Sequence, residues 1–544
     1  MATFRAKLKT QFGDIAALNA AFGTTVASFD ALVPITGEEV KAAGPSSDKA
    51  ALWNAWRAHN DDAWAGVFRL YGDALKTRDP AARLSVSGTQ EQAVFNGIDW
   101  AKLTPELGAV SGYGGRWQEL QRLCFQGPEL RATPWCAYGR SGRAVDHQVW
   151  SNLLAGGDGM AMFWWFSLRN PDLTLCNSGK DYQRVIAEMR GGIGKQFMQS
   201  TRQFSPVAVL WSATSQRAAW LRGKFEDFKK AEATVMNSLY AAGYDPMLLS
   251  EQQVAAGEIA KRGVRVLVLP MTLALGRGEK KGDLPVLPEV TKLLDAGGVV
   301  MVTDVPELDE FLRPVAPPDS IAKRLTRFSD VPVLATALDK SGAKPWVTLS
   351  PSIGITPVLH AIDGVGGSRI LTLLREPVGT KEVVGADGVP YIERDTSGGA
   401  EIQTVTVGVA ALGKVTIIDC RSGKVLPVKD GAITVNVHAG DGHPLAVLPY
   451  TVSGLSAKAS VVNDDLTITW QVRTDQPTIS AHVVHVAVVD KDGKLLRHLV
   501  RNISTGTDGK GSLVLPLAPE DGATLTVQVR DALTGHQTSV PLRR

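Results

Sequence analysis

An α/β multidomain fold follows from three features of this 544-residue chain. A strand, loop and helix pattern recurs four times before residue 205, strands and helices then alternate cleanly through residues 206–350, and helical periodicity gives way to alternating β runs beyond residue 351. Successive β/α units imply parallel strands. The first region therefore reads as half of a (β/α)8 barrel, and the second as a flavodoxin-like doubly wound domain. Dividing the remainder near Tyr450 leaves a small β domain and an Ig-like sandwich. The expected domains are 1–205, 206–350, 351–450 and 451–544.

Each element has its own signal. Phe4, Leu8, Phe12, Ile15, Leu18 and Phe22 recur at spacings of three and four, which predicts an amphipathic helical stretch broken near Gly13. Leu52, Trp56, Trp64, Val67 and Leu70 repeat the pattern over residues 48–75. Short strands are predicted at 83–87, 107–111, 131–135 and 159–166, each followed by a polar loop and a helical stretch, the last two helices at 145–154 and 181–191. The next region reads as strand 206–211, helix 217–242, strand 246–249, helix 251–262, strand 264–270, helix 287–296 and strand 298–303. Runs such as 402–409 (IQTVTVGV), 466–470 (LTITW) and 525–529 (LTVQV), set off by Asp-Gly and Gly-Lys turns, predict antiparallel sheets.

Composition narrows the function. Lys and Arg total 58 against 55 Asp and Glu, so the net charge of +3 offers no long-range field for nucleic acid or anionic lipid. The longest intense apolar run, 161–166, is far shorter than the roughly 20 residues of a bilayer span, and the start has no apolar signal region. The expectation is a soluble chain, cytoplasmic by default, without a membrane partner. Cys124, Cys136, Cys176 and Cys420 lack ligand or disulfide spacing and read as buried thiols, with no metal expected. The turn after the first strand of the doubly wound region, 212–217 (SATSQR), has no glycine to let amides wrap a phosphate, so no flavin or nucleotide cofactor is expected.

In a β/α barrel the working residues follow the strands. Those positions hold Glu91, Tyr113, Tyr138, Trp164 and Trp165, with Trp117 close behind. Aromatic faces among a few polar groups suit sugar rings, whose C–H faces stack while their hydroxyls need fixed partners. Carbohydrate is the ligand class this suggests. Glycoside hydrolysis ordinarily takes two carboxylic groups. Glu91 is the one acid soon after a predicted strand, and Asp146-His147 offers an acid/base or hydrogen-bonding pair. Against these readings stand plainer ones: a solvated loop glutamate, first-turn charge on a helix, and tryptophans that pack helix on barrel.

Residues 4–8 (FRAKL), 12–13 (FG) and 15–24 (IAALNAAFGT) resemble the stretch after the fourth barrel strand in glycoside hydrolase family 42, the β-galactosidase-like enzymes. The resemblance spans about residues 4–450 and implies the C-terminal half of the barrel, with 206–350 as a trimerisation-type domain. It also implies that the acid/base glutamate and the first four β/α units lie outside this sequence, so that an upstream segment, a second chain or a second copy pairing its half completes the barrel. The family's nucleophile position falls in 134–139 (PWCAYG), where Ala137 or Tyr138 stands and no acid does. Two readings follow: a β-galactosidase-like hydrolase acting on a glycan or oligosaccharide, incomplete or inactive in this form, or a noncatalytic carbohydrate-binding or assembly subunit derived from one.

Overall fold

The computed structural model describes residues 1–89, 93–112, 116–125, 131–136, 140–162, 168–279, 282–328, 331–352, 354–378, 380–384, 390–394 and 401–543. It divides into two compact units, one of residues 1–135 and 204–345 and the other of 136–203 and 346–544.

The first unit opens with helices Ala2–Phe12 and Ile15–Phe22. Gly13, at φ 83°, breaks them where an L side chain would be strained, and Asp14 restarts the helix by accepting from the Ala17 amide at 2.8 Å. Their apolar stripe is buried: Phe12 and Phe22 meet edge to face at 5.2 Å, and Phe311 lies 5.1 Å from Phe22. Asn19 then closes the following loop. Its amide donates to the Val26 carbonyl at 2.8 Å while its carbonyl accepts from Thr24 and from the Val26 amide, which fixes the turn after Gly23.

Helix Asp48–Lys76 follows, and its inner face is anchored by charge as well as apolar packing. Arg217 pairs with Asp61 and donates to Asn54 Oδ1 at 3.1 Å, all three side chains being buried. Beyond it, strands Ser85–Thr89, Ala109–Gly112 and Arg131–Ala132 form a parallel three-stranded sheet in that order. The third predicted strand is cut short because Pro134 has no N–H for the ladder, and pairing resumes only at Trp135–Cys136.

The second sheet of this unit has five parallel strands in the order Thr326–Arg327, Val299–Val302, Val266–Leu269, Val207–Trp211, Met247–Ser250. Numbered along the chain this is 2-1-3-4-5, a doubly wound order. Nearly every residue of its inner strands is buried, as expected when helices cover both faces. The long helix predicted over 217–242 is two helices, Ala213–Leu221 and Phe225–Ala241, because Gly223 takes φ 70° between them. Helix 251–262 is likewise divided at Gly257, φ 78°.

The second unit is mainly antiparallel. A six-stranded sheet runs Val425–Leu426, Thr416–Asp419, Gly442–Leu448, Arg369–Arg375, Ile355–Ile362, Ser200–Gln203, and a three-stranded one runs Thr348–Ser350, Ile402–Gly408, Ala432–His438. Their facing side chains, including Leu359, Leu371, Val405, Val407, Ile433 and Leu445, form one core. Helices Arg143–Leu154 and Asn177–Glu188 bury Val145, Trp150, Tyr182 and Val185 against a second core. At the C-terminus a three-stranded sheet (Val452–Val462, Asp465–Thr474, Lys510–Pro516) and a four-stranded sheet (Arg501–Ser504, Val483–Asp490, Thr524–Asp531, Gln537–Arg543) contribute Ile468, Trp470, Val486 and Val527 to that core.

Candidate active site

The strands ahead of the residues expected to do chemistry are described. Strands Ser85–Thr89 and Ala109–Gly112 pair with Thr89 opposite Gly112, so the chain leaves both at the same edge of the sheet, just before Glu91 and Tyr113. Trp135–Cys136 ends two positions before Tyr138, and Ala161–Met162 ends two positions before Trp164. Glu91, Tyr113, Tyr138, Trp164 and Trp165 lie outside the described residues. Trp117 sits in the first turn of helix Arg116–Phe125.

Asp146 and His147 are described, and they do not form a pair. Asp146 is buried and accepts from Arg143 at 2.9 Å and from Arg184 at 3.0 Å, which ties helix Arg143–Leu154 to helix Asn177–Glu188. Burial raises its carboxyl above the usual range, and the two arginines pull the other way without cancelling it. His147 instead faces Glu376, Nε2 to Oε2 at 3.3 Å. The neighbouring Cys136 thiol is pushed up to about 12 by burial and donates to the Ala161 carbonyl at 3.4 Å, which leaves it a poor nucleophile.

The sequence pattern presents Trp135 only as part of a strand. Its indole N–H donates to the exposed Ser87 hydroxyl at 3.0 Å, and the ring is half-buried beside the first strand. A tryptophan at the carboxyl end of a predicted barrel strand is the signal that could have singled it out.

The carboxyl ends of the doubly wound sheet are occupied by the chain's own polar groups. Ser215 donates to the Ala274 carbonyl at 3.1 Å, and its amide donates to Ser212 Oγ at 2.9 Å. Beside them the buried Glu251 carboxyl accepts from Thr214 Oγ1 at 3.1 Å; burial pushes it up to about 7 against the hydroxyls that favour its charge. In the second unit, Tyr450, His482 and Asp531 form a relay-like chain, with Tyr450 Oη to His482 Nε2 and His482 Nδ1 to Asp531 Oδ2 both 2.9 Å. His482 and Asp531 are fully enclosed, so this chain joins strands rather than meeting a substrate. Among the described residues no group of three or more His, Cys, Asp or Glu could hold a metal ion, and no helix is long and apolar enough to cross a membrane.

No protein-family model and no curated protein matches the sequence. Solved β-galactosidases are similar to it in structure. The enzyme from the psychrophilic Marinomonas ef1 is 13% identical, with 71% of this chain and 74% of that one covered and a TM-score of 0.48. The β-galactosidase of the Antarctic haloarchaeon Halorubrum lacusprofundi is also 13% identical, over 82% of this chain and 75% of that one, at 0.44. A β-glucuronidase of Ruminococcus gnavus is similar over only 22% of this chain and 21% of its own, at 12% identity and a TM-score of 0.12.

Proposed function

We propose that this chain is a β-galactosidase-like glycoside hydrolase acting on a glycan or oligosaccharide, built from the four domains 1–205, 206–350, 351–450 and 451–544. One observation carries the reading: in the sequence Glu91, Tyr113, Tyr138 and the Trp164-Trp165 pair each come within three positions after a strand, where a β/α barrel keeps its chemistry. The family-like segment 4–24 supports it, since Asn19 and Gly23 in that segment build a defined turn.

Glu91 is the carboxylic group to test first; Asp146, held by Arg143 and Arg184, and His147, turned to Glu376, do not act as a pair. Tyr113, Trp117, Tyr138, Trp164 and Trp165 shape the sugar subsites by stacking. Turnover of nitrophenyl β-glycosides tests the proposal directly: Glu91→Gln is expected to lower it by about 10²–10⁴, and turnover unaffected by that change removes Glu91 from the mechanism. Residues 206–350 are proposed as a trimerisation-type domain, so light scattering should find a trimer; a strict monomer overturns that assignment.

A noncatalytic carbohydrate-binding subunit is the second reading, favoured by Ala137 and Tyr138 standing where the resembling family keeps its nucleophile. Saturable binding of galactosides with no hydrolysis over days selects it.

A further inference from the structure

A cleft of about 470 Å³ opens in the first unit between Thr36, Gly37, Glu38, Lys41, Phe95 and Trp220, within the range of roughly 300–1,000 Å³ typical of small-molecule sites. Its floor is aromatic and held in place. Trp53, fully buried, stacks against Trp220 at 5.3 Å and 18°, and Phe95 meets Trp220 edge to face at 4.8 Å. Phe95 is 46% exposed, with the Arg57 guanidinium 5.2 Å from its ring centre. Gly37 makes the approach possible, since a Cβ there would stand 3.1 Å from Phe95 and 3.3 Å from Trp220.

Polar groups around this floor are unspent. Glu38 and Lys41 have no ion pair or hydrogen bond among the described residues, and the Trp220 indole N–H has no partner there either. The Lys41 ammonium rests 4.1 Å over the Trp220 ring, drawn by the negative ring face. At an exposed site that attraction is weak, so the side chain is readily displaced. The same ring faces attract the positively polarised C–H groups of a pyranose, and a free carboxylate, ammonium and indole N–H match its hydroxyls.

We propose that this cleft is a saccharide-binding site, taking one hexopyranose unit whose C–H face lies on Phe95 and Trp220 and whose hydroxyls pair with Glu38, Lys41 and the indole N–H. The inference rests on the carbohydrate reading above but not on hydrolysis. Calorimetric titration with galactose and lactose as probes tests it, together with the Trp220 indole N–H resonance, assigned by its loss in Trp220→Phe. Saturable binding is expected, with that resonance shifting, and Phe95→Ala and Glu38→Gln should each weaken it by about tenfold. Glu38 is exposed and without a partner among the described residues, so Glu38→Gln reads the contact even if Phe95→Ala melts early. Absence of binding, or binding equal in both variants and the unaltered protein, overturns the site. Nitrophenyl β-galactoside turnover by the unaltered protein, measured alongside, reports on the hydrolase reading separately.

Discussion

The Thr214 hydroxyl donates to Glu251 Oε2 at 3.1 Å, joining the segments that follow the first two strands of the doubly wound sheet. Burial lifts this carboxyl to about 7 from an ordinary 4.5, so the folded protein holds its proton where the unfolded chain has released it. Its contribution to stability is therefore full below about pH 4.5 and falls as pH rises to about 7. Glu251→Gln, which keeps an acceptor for Thr214, should raise the melting temperature at pH 8, by up to about 3 kcal/mol of stability, and change it far less at pH 5. Calorimetry at the two pH values checks this; an equal change at both contradicts the protonated carboxyl.

Arg217 and Asp61 are a buried pair in which each neutralises the other. Asp61→Ala strands the guanidinium in the interior and should cost about 3–5 kcal/mol, whereas replacing both residues by apolar ones of similar volume should cost much less. Thermal melting of the single and double variants provides the comparison.

Asp531 shows the opposite linkage to Glu251. Burial raises its carboxyl, but the charge and hydrogen bond of His482 and the Thr534 hydroxyl outweigh that and leave it below its ordinary 3.8. Its contribution is present above about pH 3.8 and is lost on further acidification. Asp531→Asn should therefore destabilise the protein by about 1–3 kcal/mol at neutral pH, and the gap to the unaltered protein should narrow in acid. Melting curves at pH 7 and pH 3 measure it.

Asp146 and Glu91 should separate cleanly. Asp146→Ala removes the acceptor shared by Arg143 and Arg184 and is expected to lower the melting temperature. Glu91→Gln should reduce nitrophenyl β-glycoside turnover by about 10²–10⁴, the usual range for one acid/base group, without a comparable thermal effect. Turnover and melting of both variants, measured together, distinguish the two roles.

Residue pattern made some of this legible and not the rest. The break at Gly13 and the buried strands of residues 206–303 were readable because glycine geometry and continuous apolar runs are local properties. Helix Val331–Ser341 went unread, since its valines and threonine give no strong helical period. Strand Ser200–Gln203 went unread because it exists only by pairing with Ile355–Ile362, more than 150 residues later. Trp220 and Phe95 carry no sequence signal of a shared cleft, because only folding brings them within 4.8 Å.

By itself the sequence determined the type of most elements, the parallel and antiparallel regions, and which aromatic and acidic residues follow strands, all of which depend on neighbours a few positions apart. Only the tertiary structure decided the strand order of the doubly wound sheet, the engagement of Asp146 by two arginines, and the raised carboxyl of Glu251. Burial and charge pairing depend on which distant segments meet, and a one-dimensional pattern does not encode that contact.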